Sequence, residues 1–179
     1  MARMEILNGG CDLRTHLATT RGGRSLLEVD AWIPSEVKAI SPLVERLMRL
    51  IEGSHCVAGE EHAVQLALRE ALNNAVVHGN RLDVRKLVHV RCRCKVGKGI
   101  ALIVSDEGEG FDARSIPNPL AVENLEADHG RGIHIMRLAM DQVSFTQGGN
   151  EVHMYKRPAR NARGVREATR AVLRRGYGH

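Results

Sequence analysis

An acid and an amide lie one helical turn apart in the middle of the chain. Glu70 and Asn74 belong to the segment Glu-Ala-Leu-Asn-Asn-Ala (70–75), whose apolar residues recur at the spacing of an amphipathic helix. Side chains four residues apart share a helix face, so the two groups can converge on one object. The amide oxygen suits a phosphate-bound Mg²⁺, and the carboxylate can position or deprotonate a nucleophile. The alternative is a solvated polar face that ends at Gly79.

The two adjacent asparagines at the end of this segment are unusual in a helix. Asn73 and Asn74 are poor helix formers because their side-chain amides compete for backbone hydrogen bonds. Something other than helix stability should therefore explain their presence.

A third acidic side chain follows a strongly apolar run and precedes two glycines. Residues 100–104 are typical of a buried strand, and Asp106 stands where that strand opens toward Gly108 and Gly110. A carboxylate at the rim of a sheet can accept a hydrogen bond from the exocyclic amine of adenine. The glycines let the backbone approach a flat base closely. Taken alone, Asp-x-Gly-x-Gly after a strand is more often just a turn.

A patternless connection leads to a second pair of glycines. Residues 111–129 show no clear periodicity, which is typical of a functional lid or a disordered segment. Gly130 and Gly132 then open an apolar-periodic helix, whose N-terminal amides and dipole can hold phosphate. Arg131 can add a charge-assisted contact to the same phosphates. Each motif is weak alone, but the three in this order and spacing predict an ATP site.

These motifs resemble those of the GHKL ATPase superfamily, shared by gyrase, histidine kinases and mismatch-repair ATPases. Within that superfamily the chain most resembles the bacterial anti-sigma-factor serine/threonine kinases. The resemblance runs in order over residues 26–156 and is most specific at 70–75, 106–111 and 130–143. It implies the Bergerat ATP-binding fold, with ATP and Mg²⁺ as cofactors.

The resemblance also implies a role for each motif residue. Glu70 would be the catalytic base, Asn74 the Mg²⁺ ligand and Asp106 the adenine reader. Gly108 and Gly110 would shape the base pocket, while Gly130, Arg131 and Gly132 would hold phosphates under the lid. One stretch departs from the family pattern: many relatives have a Thr just before the last strand, where this chain reads Gly-Asn-Glu-Val (149–152). With Glu151 at the usual Thr position, the lower wall of the base pocket is expected to differ.

The resemblance implies a cytoplasmic kinase that phosphorylates a Ser or Thr on a STAS-type anti-anti-sigma protein. When free of that antagonist, it would hold a sigma factor away from polymerase. Relatives commonly form homodimers, and an outward Trp32 is a candidate contact. Two other functions stay open: a module in which ATP only shapes a partner-binding surface, and the catalytic module of a histidine kinase. Intact site residues are compatible with both the kinase and the binding module.

The composition agrees with one soluble intracellular domain. The 179 residues suffice for one core, and there is no secretory segment or apolar run of the ~20 residues that span a bilayer. Among the four cysteines, Cys92 and Cys94 alternate with charged residues in a predicted strand, so both should point into the core. We interpret them as small buried hydrophobes of a reducing compartment, not as a metal or redox site.

We expect three regions: a flexible leader (1–23) that could become ordered on a partner, an ATP-binding domain (24–157), and a basic tail (158–179). Within the domain, a strand at 27–33 precedes a helical region, the helix of residues 70–75 and two hairpins. Strands adjacent in sequence with helices between them predict an α/β fold of the α+β two-layer type. Its sheet should be mixed but mostly antiparallel, with helices on one face.

The basic residues are concentrated near the C-terminal end. Residues 156–179 hold Lys156 and seven arginines against one acid, Glu167, so they carry +7 and the remainder carries −2 of the total charge of +5. Their apolar residues keep a helical spacing, which predicts a basic amphipathic helix after Pro158. Such a helix can pack on the body, dock an acidic protein or touch nucleic acid. Because aromatic residues are few, we favour a solvated or partner-docking helix.

Overall fold

The computed structural model of the chain describes residues 2–7, 11–20, 24–110 and 131–158. Gly130, the predicted lid and nearly all of the basic tail lie outside the described residues. None of the helices within the described ranges has the length and apolar character that a membrane-spanning helix requires.

The described residues form seven strands and three α-helices. In chain order they are β1 (Ala2–Leu7), β2 (Cys11–Thr20), β3 (Arg24–Pro34), α1 (Val37–Ser54), α2 (Glu61–Asn73), β4 (Leu87–Lys95), β5 (Gly99–Ser105), α3 (Arg131–Ala139), β6 (Gln142–Thr146) and β7 (Glu151–Lys156). Helix α2 runs directly into a π-helical turn, Asn74–Gly79.

The strands form one sheet in the order β1-β2-β3-β4-β5-β7-β6. Every described pair of neighbouring strands is antiparallel. The helices cover one face of this sheet, so the predicted α+β two-layer fold is confirmed. The sequence predicted a mixed but mostly antiparallel sheet. The described strand pairs are all antiparallel.

Alternation along the strands decides which face receives the helices. In β3, Leu27, Val29 and Ile33 are buried, while the charged residues between them face the other side. Leu43 and Leu47 of α1 are fully buried against that apolar face. Removing such a side chain from water contributes about 1.5–3 kcal/mol. The sheet and helices therefore share a single core, and the opposite sheet face is polar.

The N-terminal residues do not form the flexible leader that we expected. Strand β2 pairs with β3, and β1 pairs with β2, so the expected leader supplies two strands of the sheet. Cys11 and Leu13 are buried on the core side, whereas Asp12 and Arg14, which alternate with them, are exposed. This short alternation, preceded by Asn-Gly-Gly at residues 8–10, is a hairpin signal in the sequence.

The cysteines differ partly from the prediction. Cys92 and Cys94 both point into the core as expected. However, Cys94 is bonded to Cys56, which follows α1, with their Cα atoms 5.9 Å apart. The interpretation of Cys94 as a free thiol is therefore wrong. Since Cys56 lies in a connection and is separated by 38 residues, no local pattern indicates the pairing.

The polar face of the sheet carries cross-strand pairs of aromatic and charged groups. Trp32 lies on this face as predicted, stacked on His89 with ring centroids 4.3 Å apart. The guanidinium of Arg14 lies 5.5 Å from the Trp32 ring centroid. His89 is also 3.1 Å from a carboxylate oxygen of Asp30. These contacts already cover part of the Trp32 ring within the chain.

Glu151 is the most buried charged residue in this face, with 5% of its surface exposed. One carboxylate oxygen accepts hydrogen bonds from Arg91 at 2.6 Å and Ser105 at 2.8 Å. The other accepts from His153 at 2.6 Å and Thr146 at 3.2 Å. Burial alone would raise the pKa of Glu151, but these hydrogen bonds and the Arg91 charge outweigh it and lower the pKa below 4.5.

We expect Glu151→Ala to lower the free energy of unfolding by about 1–3 kcal/mol, because several partners lose a shared acceptor. Glu28→Ala removes the pair with Arg93 on the same sheet face, but that pair is more exposed, so its loss should cost less than about 1 kcal/mol. Urea denaturation at several pH values measures both. Because the folded-state pKa of Glu151 is depressed, its stabilisation is complete above 4.5 and is lost as the pH falls through the folded-state value. Equal losses in the two variants would contradict this account.

Candidate functional site

The acid and amide predicted from the sequence lie at the exposed side of α2 and its continuation. Val64, Leu68 and Leu72 bury one stripe of the helix in the core. Glu70 lies off that stripe and is half-buried, and Asn74 is half-buried at the start of the π-helical turn. The neighbouring Asn73 is exposed. The α-helix changes to a π-helical turn at Asn74 and ends at Gly79.

Gly132 brings the start of α3 against this pair. A Cβ atom at Gly132 would lie 3.0 Å from Oε2 of Glu70 and 3.1 Å from Oδ1 of Asn74. Both oxygens therefore border one point, and the absence of a side chain at Gly132 leaves room there. The described part of α3 begins at Arg131, directly before Gly132. The site thus brings two side-chain oxygens, of the kind that hard metal ions prefer, next to the first described turn of α3.

The other end of α3 is anchored by a lysine of β7. Lys156 donates a hydrogen bond from Nζ to the carbonyl oxygen of Ala139 at the end of α3, at 2.8 Å. The same ammonium lies 3.2 Å from a carboxylate oxygen of Glu60, immediately before α2. A cation at a helix C-terminus is favourable. Lys156 therefore holds the two site helices together at the end away from Gly132.

Asp106 follows β5 and lies beside the end of the π-helical turn. Its Oδ1 accepts a hydrogen bond from the N–H of Gly108 at 2.8 Å. Among the described residues, this N–H group is the hydrogen-bond donor to the carboxylate. Burial raises the pKa of Asp106 above its usual value, and the Gly108 bond and the Lys86 charge oppose that rise. A half-buried carboxylate with acceptor capacity left suits a polar ligand group.

The glycines around Asp106 are required by close packing. A Cβ atom at Gly79 would overlap the Asp106 carboxylate, and one at Gly108 would overlap the carbonyl of Gly79. Gly110 has a φ of +75°, a conformation that favours glycine, and a Cβ atom there would overlap Asn150. Since Asn74 begins the π-helical turn and Gly79 ends it, that turn joins the acid–amide pair to Asp106.

Asn150 lies next to the glycine loop, in the stretch 149–152 that departs from the family pattern. Its Nδ2 donates to the carbonyl oxygen of Gly108, and its own carbonyl accepts the N–H of Asp106 at 2.9 Å. Glu151 instead points to the polar sheet face, because successive residues of a strand face opposite sides. Glu151 therefore points away from Asp106, and Asn150 contacts the glycine loop in its place.

Asn80 is a further residue that the sequence analysis missed. It is 1% exposed, and its Oδ1 accepts the N–H of Glu107, next to Asp106, at 2.8 Å. Its Nδ2 donates to the hydroxyl of Ser35 at 2.6 Å and to the carbonyl of Leu87 at 3.0 Å. Its position directly after His-Gly at the end of a helix was the available signal, but such an Asn is also common as a simple helix end.

The structure thus brings the predicted residues into two groups. Glu70, Asn74 and Gly132 meet at the first, where Arg131 is exposed at the start of α3. Asp106, Gly108 and Gly110 form the second, and Gly130 lies outside the described residues. The described residues hold no cluster of three or more His, Cys, Asp or Glu side chains suited to a metal ion.

Burial raises the pKa of Cys92 to about 12, so this thiol stays protonated near neutral pH.

Comparison with known proteins agrees with this geometry. The model of the histidine kinase-like ATPase domain family matches residues 33–156, a range that contains every residue of both groups. No curated protein shows significant similarity to the chain. Because the family match covers more than half of the sequence, the chain belongs to the histidine kinase-like ATPase domain family and has its ATP-binding fold.

Proposed function

We propose that the protein is an anti-sigma-factor serine/threonine kinase that uses ATP and Mg²⁺. Its substrate would be a Ser or Thr of a STAS-type anti-anti-sigma protein, and the unengaged kinase would hold a sigma factor away from polymerase. The observation that carries the kinase proposal is the meeting of the Glu70 carboxylate, the Asn74 amide and the start of α3 around Gly132. A base, a hard-metal ligand and phosphate-binding amides are the parts that phosphoryl transfer needs.

The side-chain oxygens of the first group are of the kind that bind Mg²⁺. Mg²⁺ prefers oxygen ligands and takes few of them from protein when it is bound to phosphates. Oδ1 of Asn74 borders the space beside Gly132 and would be its protein ligand. When bound, the ion would neutralise charge on the triphosphate.

The second group would hold the base. The Asp106 carboxylate retains acceptor capacity and would take a hydrogen bond from the adenine amine. Gly108 and Gly110 would leave room for the flat ring, and the close packing of Gly108 against Gly79 keeps the loop in place. The π-helical turn between the groups would set the spacing of base and phosphates.

Phosphoryl transfer would depend mainly on positioning and charge stabilisation. The N-terminal amides of α3, together with Gly130 and Arg131, would hold the phosphates. Glu70 would orient the partner's hydroxyl and accept its proton as the hydroxyl oxygen bonds to the γ-phosphorus. The bond from that phosphorus to the ADP oxygen breaks in the same step, so ADP and a phosphorylated Ser or Thr result.

The remaining elements of the proposal concern assembly and location. We propose a cytoplasmic homodimer, with the polar sheet face around Trp32 as a candidate contact. The basic tail would be solvated or would dock a protein partner, and we do not assign it to nucleic acid.

We expect Glu70→Gln to reduce phosphate transfer from labelled ATP to a STAS-type antagonist by at least about 100-fold, since loss of a general base typically costs that much. ATP affinity should change little, because glutamine has nearly the same shape. Glu61→Gln is the matched control: it lies on the same helix but its carboxylate contacts the backbone of Gly59. Transfer is measured by the appearance of acid-stable label in the antagonist.

Undiminished transfer by Glu70→Gln with ATP still bound would contradict the assigned role. Retention of ATP by the wild type without transfer to any candidate antagonist would instead favour a module that only captures partners. Acid-labile label on a histidine would favour the histidine-kinase reading.

We expect Asn74→Ala to abolish most of the gain in ATP affinity that Mg²⁺ produces, because the variant lacks the amide oxygen ligand. Asn73→Ala is the control, since that neighbouring amide is exposed and has the same chemistry. Calorimetric titrations with and without Mg²⁺ give the ratio of dissociation constants for each variant. Equal ratios in the two variants would show that Asn74 is not the ligand.

A further inference from the structure

The buried side chain of Asn80 connects two other segments of the fold to the loop that carries Asp106. Its Nδ2 donates to Ser35, between β3 and α1, and to the carbonyl of Leu87 at the start of β4. Its Oδ1 accepts the backbone N–H of Glu107. With 1% exposure and three hydrogen bonds, this amide has little freedom to change its orientation.

These contacts determine the backbone on both sides of Asp106. The N–H of Asp106 donates to the carbonyl of Asn150 at 2.9 Å, which fixes the peptide plane before it. The N–H of Glu107 donates to Asn80 at 2.8 Å, which fixes the plane after it. With both planes held, the carboxylate of Asp106 can turn only about its own side-chain bonds, and the N–H of Gly108 restrains these as well.

A second contact restrains the same segment from the surface. The carboxylate of Glu107 accepts the N–H of Leu87 at 2.7 Å. The N–H of Leu87 therefore contacts the loop directly. Its carbonyl oxygen is linked to the loop indirectly, because it accepts a hydrogen bond from Asn80. The segment Asp106–Glu107 is consequently held by β4 and by the end of the π-helical turn.

We infer that Asn80 is a positioning residue that aims the Asp106 carboxylate at the nucleotide base and thereby sets the preference for ATP over GTP. This inference rests on the proposed ATP site. A carboxylate accepts hydrogen bonds only, so it pairs with the 6-amino group of adenine and repels the 6-carbonyl oxygen of guanine. That discrimination depends on the direction of the carboxylate, because a site built to hydrogen-bond one group rejects the analogue that lacks it.

The test compares Asn80→Ala with Ser35→Ala. The first substitution removes the acceptor for the Glu107 N–H. The second removes a buried partner of the same asparagine but leaves that acceptor in place, so it is a control for loss of a buried hydrogen bond. Calorimetry gives dissociation constants for Mg·ATP, Mg·GTP and Mg·tripolyphosphate, and thermal melting confirms that each variant is folded.

For Asn80→Ala we expect about tenfold weaker ATP binding, as the loss of one well-aligned hydrogen bond implies. The ratio of GTP to ATP dissociation constants should fall by a similar factor, while tripolyphosphate binding stays unchanged. Ser35→Ala should keep the wild-type ratio even if its melting temperature falls. An unchanged ratio in Asn80→Ala, or equal weakening of ATP and tripolyphosphate, would overturn the inference.

If Asn80→Ala does not fold, Asn80→Ser replaces it, since serine keeps a polar group at this buried position but lacks the amide oxygen that accepts the N–H of Glu107. A threefold or larger fall in the same ratio supports the inference, and an unchanged ratio overturns it. Failure of the wild-type protein to bind ATP would instead reject the proposed function, so the two failures are distinguishable.

Discussion

The contact between the polar face of α2 and the start of α3 is the constraint on which the site depends. Glu70, Asn74 and Gly132 meet at a point where a single added carbon would crowd two side-chain oxygens. The contact requires that α2 bury its apolar stripe in the sheet and that Lys156 hold α3 at its far end. Because the glycine leaves space beside both oxygens, the acid, the amide and the backbone of α3 can contact one ligand.

The two groups of site residues are held by different kinds of interaction. In the first group, the packing of α3 on α2 sets the geometry, and Lys156 anchors the opposite end of α3. In the second group, the backbone N–H groups of Asp106 and Glu107 donate to Asn150 and Asn80, and two glycines approach closely. Amide networks of this kind are rigid when every member is satisfied. The π-helical turn runs from Asn74 in the first group to Gly79 beside Asp106, so the end of α2 positions residues of both groups.

The sequence predicted what periodic patterns and spaced motifs encode. Alternation in β3 and β4 identified the buried sheet face, and the spacing of Glu70 and Asn74 identified one helix face. It did not predict contacts between distant segments, such as the pairing of Cys56 with Cys94. Nor did it predict that Asn150, and not Glu151, contacts the glycine loop, because a shift of one residue along a strand moves a side chain to the opposite face.

The central claim is that the protein binds a purine triphosphate at these two groups of residues and that Mg²⁺ strengthens the binding. The most direct test is isothermal titration of the full chain with ATP in the presence and absence of Mg²⁺, with circular dichroism to confirm folding. The account predicts saturable binding of one ATP per chain that tightens when Mg²⁺ is added. Absence of binding heat from folded protein at excess Mg²⁺, over several temperatures, would contradict it.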